Sequence, residues 1–167
     1  MTTREVWLST ILFAGLGLAL LVGLVLLFDR GAFQLAAKPL TLASAVFWGF
    51  VVFVALFAFW GLYYRYFYPG WVRWLAPLDV ALYALIGMAM WWLAQRLPGP
   101  GVLWFALLGG LEGVLEHLFG FYLLGILQKV PFLQGLHPGP LLVFSFFEYV
   151  FYWSLTAWIG FGFTKLI

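Results

Sequence analysis

The sequence predicts an all-α, polytopic integral membrane protein, a bundle of five transmembrane helices joined by short loops. Hydrophobic residues make up 66% of the 167 and charged residues only 8%, where a soluble domain carries about a quarter charged. Mean hydropathy is +1.07. The apolar residues run in stretches long enough to cross a bilayer, each closed by charged residues or Pro-Gly breakers.

The first stretch, residues 6–28, is apolar until Asp29-Arg30 closes it. A secretory signal has a shorter apolar region, so this stretch reads as a retained helix. The connection to Pro39 carries Arg30 and Lys38. Helix two is expected over residues 40–64. It runs into Tyr63-Tyr64-Arg65-Tyr66-Phe67-Tyr68-Pro69-Gly70-Trp71, an aromatic interface belt with a turn. Helix three is expected over 74–95, with Pro77 tolerated in its first turns. Arg96-Leu97-Pro98-Gly99-Pro100-Gly101 stops it. Helix four is expected over 102–128 and helix five over 141–165, separated by a loop holding Pro131, His137 and Pro138.

Five spans of this length leave connections of roughly 5–12 residues, so the expectation is one transmembrane domain, 1–167, with no room for a soluble module. No internal repeat is visible. Orientation is nearly balanced. Arg4, Arg65, Arg73 and Lys129 fall on one side, and Arg30, Lys38, Arg96 and Lys165 on the other. The α-amino group tips the positive-inside count slightly toward a cytoplasmic N-terminus in a plasma or inner membrane.

Composition also excludes chemistry. The chain has no cysteine, which removes disulfides, iron–sulfur clusters and thiolate metal sites. A net charge of +2 without a basic run gives no footing for nucleic acid.

Leu108 to His117, Leu-Gly-Gly-Leu-Glu-Gly-Val-Leu-Glu-His, places three ionisable groups inside a membrane-spanning run. An intramembrane charge costs at least ~2.5–3.5 kcal/mol, so such residues are functional candidates by default. At about 100° per residue, Glu112, Glu116, His117, Gly109, Gly113 and Gly120 share one side of the helix. Leu107, Leu111, Val114, Leu115, Leu118, Phe121 and Tyr122 form the opposite, lipid-facing arc. Small residues permit close helix approach, so the glycine side should face the bundle interior.

Helix five repeats this division. Glu148, Ser145, Tyr149, Tyr152, Trp153, Thr156 and Gly160 lie on one side, against Val143, Phe146, Phe147, Val150 and Phe151. In helix three, Asp79 shares a side with Ala76, Tyr83, Gly87 and Met90. The depth of each residue along its helix places these acids in one half of the membrane, toward the N-terminal side. The expectation is a polar pocket lined by helices three, four and five, with Arg65, Tyr66 and His137 at its rim.

Such a pocket suits three uses. The first is a metal ion held by Glu112, Glu116, His117 and Glu148, a donor set suited to iron, manganese or zinc. Against it, the Glu-x-x-His pairs of di-iron bundles are absent. The second is a pocket for a small hydrophobic or cationic ligand. Here Glu116 and Glu148 are the candidate catalytic acid and base, and Glu112, Asp79, Tyr149, Tyr152 and Trp153 the ligand contacts. Aromatic faces beside carboxylates suit a cation. The His137-Pro138 turn ahead of Glu148 to Trp153 resembles, over a short part of the chain and without a full motif, the emopamil-binding and sterol-isomerase superfamily. The third use is a non-enzymatic subunit or scaffold of a larger membrane complex, whose buried acids meet a partner's residues or simply hold helices together. Membrane lipids are the expected surroundings in every case.

Overall fold

The computed structural model describes residues 3–27, 42–67, 76–129, 135 and 137–166, and the side chains of 4–27, 42–56, 77–128, 135 and 137–164. Among these residues the chain forms five α-helices and no strand: α1 Thr3–Leu27, α2 Leu42–Phe67, α3 Ala76–Ala94, α4 Gly101–Leu118 and α5 Pro138–Leu166. Among the described residues four spans are long and apolar enough to cross a membrane, Arg4–Leu27, Pro77–Ala94, Gly101–Leu123 and Pro138–Thr164, and the described part of α2, Leu42–Leu56, is apolar as well. The expected connection 29–39, the Pro69-Gly70 turn and the side chains of Arg65 and Tyr66 lie outside the described residues.

The helices cover the expected stretches with ends shifted by a few residues. Helix four departs most. Its α-helical hydrogen bonding stops at Leu118, and one wider π-type turn follows over Phe119–Leu123, closed by Leu124 N–H donating to Phe119 O at 3.0 Å. Gly125 then takes φ 64°, a left-handed conformation that glycine enters without a Cβ penalty. A short 3-10 turn, Leu127–Lys129, completes the connection in place of the expected continuous helix to Gln128. Helix five begins three residues early because Pro138-Gly139-Pro140 forms its first turn, where a missing N–H costs nothing. His137 caps it: Leu141 N–H donates to its carbonyl at 3.3 Å, and Gly139 N–H to its Nδ1 at 3.4 Å. The expected rim residue is thus the N-cap of α5.

α5 packs against α1, α2 and α4, and α3 closes the far side by packing on α2 and α4. Glycines set these approaches. Gly17 of α1 meets the backbone of Phe151, where an added Cβ would lie 3.1 Å from its nitrogen, and Gly23 meets the Trp158 ring. Trp158 Nε1 donates to Leu20 O at 2.7 Å and ties α5 to α1. On α4, Gly109 lies against Trp153, Gly110 against Phe146 and Val150, and Gly113 against Tyr149. The glycine side of helix four therefore faces the interior as expected, while Leu111 and Leu115 point outward, 56% and 66% exposed.

The core is aromatic. Trp48, Trp91, Phe105 and Trp153 are buried together, with centroids 5.4 Å apart for Trp48–Phe105, Trp91–Phe105 and Phe105–Trp153. Gly87 of α3 provides room for the rings of Trp48 and Trp153. Among the described residues, Trp48, Trp91 and Trp153 are thus core residues rather than belt residues. At the α3–α4 turn, Arg96 stacks on Trp92 at 3.6 Å and Trp104 Nε1 donates to Pro98 O at 2.6 Å, an arrangement suited to a membrane–water boundary.

Candidate functional site

α3, α4 and α5 converge on Glu116. Its Oε2 accepts a hydrogen bond from Tyr149 OH of α5 at 2.5 Å and another from Tyr83 OH of α3. The two phenol oxygens are themselves 2.8 Å apart. Three oxygens from three helices therefore close a triangle. The two phenolic hydrogens satisfy two of its edges when Glu116 is a carboxylate, and with a hydrogen on the carboxyl group the three hydroxyls can donate head to tail around all three.

One turn earlier on α4, Glu112 Oε2 accepts the Trp153 indole N–H at 3.1 Å. Glu112 and Glu116 are close enough to act on one another electrostatically. Tyr152 packs beside them, its ring centroid 6.0 Å from Tyr83 and 5.2 Å from Trp153. Ser145 and Thr156, expected on the polar side of helix five, turn back onto their own helix and donate to Leu141 O and Tyr152 O at 2.6 and 2.8 Å. Their hydroxyls satisfy themselves locally.

His117 and Glu148 form a second pair deeper in the protein. They are 4% and 1% exposed, and His117 Nε2 lies 3.5 Å from Glu148 Oε2. The other ring nitrogen, Nδ1, is 3.0 Å from Gly113 O. A carbonyl only accepts, so Nδ1 carries the hydrogen and donates. Tyr149 stands between the pairs, its ring edge-on to His117 at 5.6 Å and its hydroxyl on Glu116.

Asp79, in the first turn of α3 one turn before Tyr83, is half-buried and acts electrostatically on Glu116. The structure thus brings together Asp79, Glu112, Glu116, His117, Glu148, Tyr149, Tyr152 and Trp153 at the expected junction. Tyr83 is the member that sequence reasoning did not place among the site residues. Its signal was available, because it shares the Asp79 side of helix three and is one turn away.

The four proposed metal donors are not gathered on one point. Glu116 is turned to two phenols, Glu112 to an indole, and His117 to Glu148. Among the described residues no group of three or more histidine, aspartate or glutamate side chains is placed to hold a metal ion. Adjacent Glu116 and His117 diverge by about 100° on the helix, which separates the two halves of the donor set.

Clefts of about 450 and 600 Å³ lie elsewhere, one lined by Val25, Gln95, Leu97 and Gly101 at the α3–α4 turn, the other by Phe121, Gln128, Gly135 and His137 at the start of α5. The carboxyl groups line neither. Compared with protein families, with curated proteins and with solved structures, the chain has no match.

Proposed function

We propose that the five helices span a membrane and that the junction of α3, α4 and α5 binds a small lipophilic cation, with Glu116 as its counter-ion. The observation that carries this reading is a cluster of acids with no cationic side chain beside it. Glu112, Glu116 and Glu148 meet among aromatic rings, and their partners among the described residues are phenols, an indole, a histidine and, for Glu112 and Glu116, each other, with no lysine or arginine. A charge removed from water needs a partner. A cation from outside supplies it, and the faces of Tyr83, Tyr149, Tyr152 and Trp153 add about 0.5–2 kcal/mol per well-placed contact. Glu116 and Glu148 are also the groups proposed to move protons. Asp79, half-buried at the edge, is the proposed point of entry.

The outer surface supports the membrane placement. Leu8, Ile11, Leu12, Leu18, Leu26, Leu82, Leu111, Leu115 and Leu123 are all more than half exposed, and large exposed apolar surface marks a face that meets a membrane or another protein.

The test is equilibrium binding of tetraphenylphosphonium to the detergent-purified protein, against a neutral aromatic of similar size. The cation should bind and the neutral compound should not. Glu116→Gln should weaken cation binding at least about tenfold, which corresponds to ~1.4 kcal/mol, while the melting temperature stays close to that of the parent. Equal binding of both compounds, or full binding by Glu116→Gln, rules the reading out. Absent binding together with a stoichiometric co-purifying membrane protein favours the subunit reading instead.

A further inference from the structure

We infer that His117 and Glu148 form a one-proton binding site separate from Glu116, and that a cation arriving at Glu116 drives that proton out. The second half rests on the cation-binding reading above; the first does not.

The geometry counts the proton. His117 Nδ1 is committed as a donor to Gly113 O at 3.0 Å. In a neutral imidazole Nε2 is then a bare lone pair, and it faces Glu148 Oε2 across 3.5 Å. Glu148 Oε2 is fully buried and makes no hydrogen bond to any described residue. An ionised Glu148 beside a neutral His117 sets two acceptors against each other in a water-poor site, which is unfavourable. One proton resolves this, either on the carboxyl group or as imidazolium against carboxylate. Two protons, a neutral acid beside an imidazolium, put back an uncompensated charge. The pair is therefore occupied by one.

The same geometry couples the pair to the other acid. Glu116 precedes His117 in the chain and Tyr149 follows Glu148, so the helical steps that carry Glu116 and Tyr149 toward each other also carry His117 and Glu148 together. Glu116 acts electrostatically on Glu148. The other titratable groups on elements packed nearby are Glu112 on α4, Tyr149 and Tyr152 on α5, and Asp79 and Tyr83 on α3. Arg4 and Glu5 stand exposed in the first turn of α1. α2 has none among its described side chains. A positive charge brought to Glu116 raises the cost of holding another beside it, so the proton of the His117–Glu148 pair leaves to bulk water as the cation enters.

The experiment is proton release from weakly buffered, detergent-purified protein on addition of tetraphenylphosphonium, which carries no exchangeable proton, with binding measured on the same samples. The parent should release about one proton per bound cation. Glu148→Gln should bind the cation and release none. Release that persists in Glu148→Gln means the proton comes from elsewhere and overturns the inference. Binding without release overturns it too and leaves the cation reading standing. No binding by the parent removes that reading, and with it the coupling. For the pair alone, and should Glu148→Gln not fold, infrared spectra decide: a protonated-carboxyl or imidazolium signal altered in His117→Gln supports the shared proton. Signals indifferent to His117→Gln overturn it.

Discussion

Trp153 of α5 lies so close against Gly109 of α4 that a methyl group on Gly109 would overlap the indole ring. From that position the indole N–H reaches Glu112 on the next turn of the same helix. The absence of a side chain at one residue is thus a condition for the hydrogen bond made by another, and the pattern repeats at Gly113, beneath the Tyr149 ring that reaches Glu116.

Filling these approaches should separate the helices. Gly109→Ala and Gly113→Ala are expected to destabilise the protein by about 1–3 kcal/mol. Gly15→Ala and Gly49→Ala, where an added Cβ meets nothing within 4 Å, should be neutral or slightly stabilising, because alanine is the better helix former by about 1 kcal/mol. Thermal melts of the four variants in one detergent check this. Similar shifts for both pairs would refute close packing at the α4–α5 interface.

The oxygen triangle should behave as one unit. Tyr83→Phe and Tyr149→Phe are each expected to cost about 0.5–2 kcal/mol, the range of hydrogen bonds between membrane helices. The double variant should cost less than the sum, since both phenols donate to the same Glu116 oxygen. A double-mutant cycle measures the coupling. Strict additivity would mean that the two phenols act independently.

The Trp153–Glu112 bond offers a spectroscopic check. The protein has ten tryptophans, so ten indole N–H resonances are expected from nitrogen-labelled protein. The one lost in Trp153→Phe should lie downfield, as befits a hydrogen bond to a carboxyl group, and should move upfield in Glu112→Ala. An unmoved resonance would show that the bond is not formed.

Membrane placement is open to a direct test, because the chain has no cysteine to remove. Single cysteines at Leu18 and Leu115, both exposed on the apolar surface, should resist a membrane-impermeant maleimide in reconstituted vesicles and react once detergent is added. Cysteines at Gln95 and Gly135, at opposite ends of α4, should be labelled from opposite sides. Rapid labelling of Leu18→Cys and Leu115→Cys in intact vesicles would place those faces in water.

Much of this site is legible in the sequence. Glu112, Glu116 and the glycines share a helical side by periodicity alone, and in a membrane a side rich in glycine has little choice but to meet another helix. Glu148 followed by the same reasoning. The partner of each acid was not legible. Periodicity places a residue on a face, but whether Glu116 meets His117, a metal or a phenol depends on helix rotation of a few tens of degrees and on axial register. Tyr83 escaped notice for that reason, since a tyrosine on an interior face reads as packing until its hydroxyl finds an oxygen. The end of helix four escaped as well. Its turn widens after His117 with no proline to announce it, and Gly125 alone marks the break.

α5, the helix that α1, α2 and α4 pack upon, follows all of them in the chain. Trp158 reaches Leu20 across 138 residues. During synthesis α1, α2 and α4 are made before the surface they pack on exists. Until α5 arrives, Glu112, Glu116 and the bare glycine face of α4 have no α5 rings to cover them, which makes the partly made chain a substrate for quality control. Packing of the described helices thus waits for α5, and variants that slow its incorporation should lower yield in cells more than they lower the stability of the purified protein.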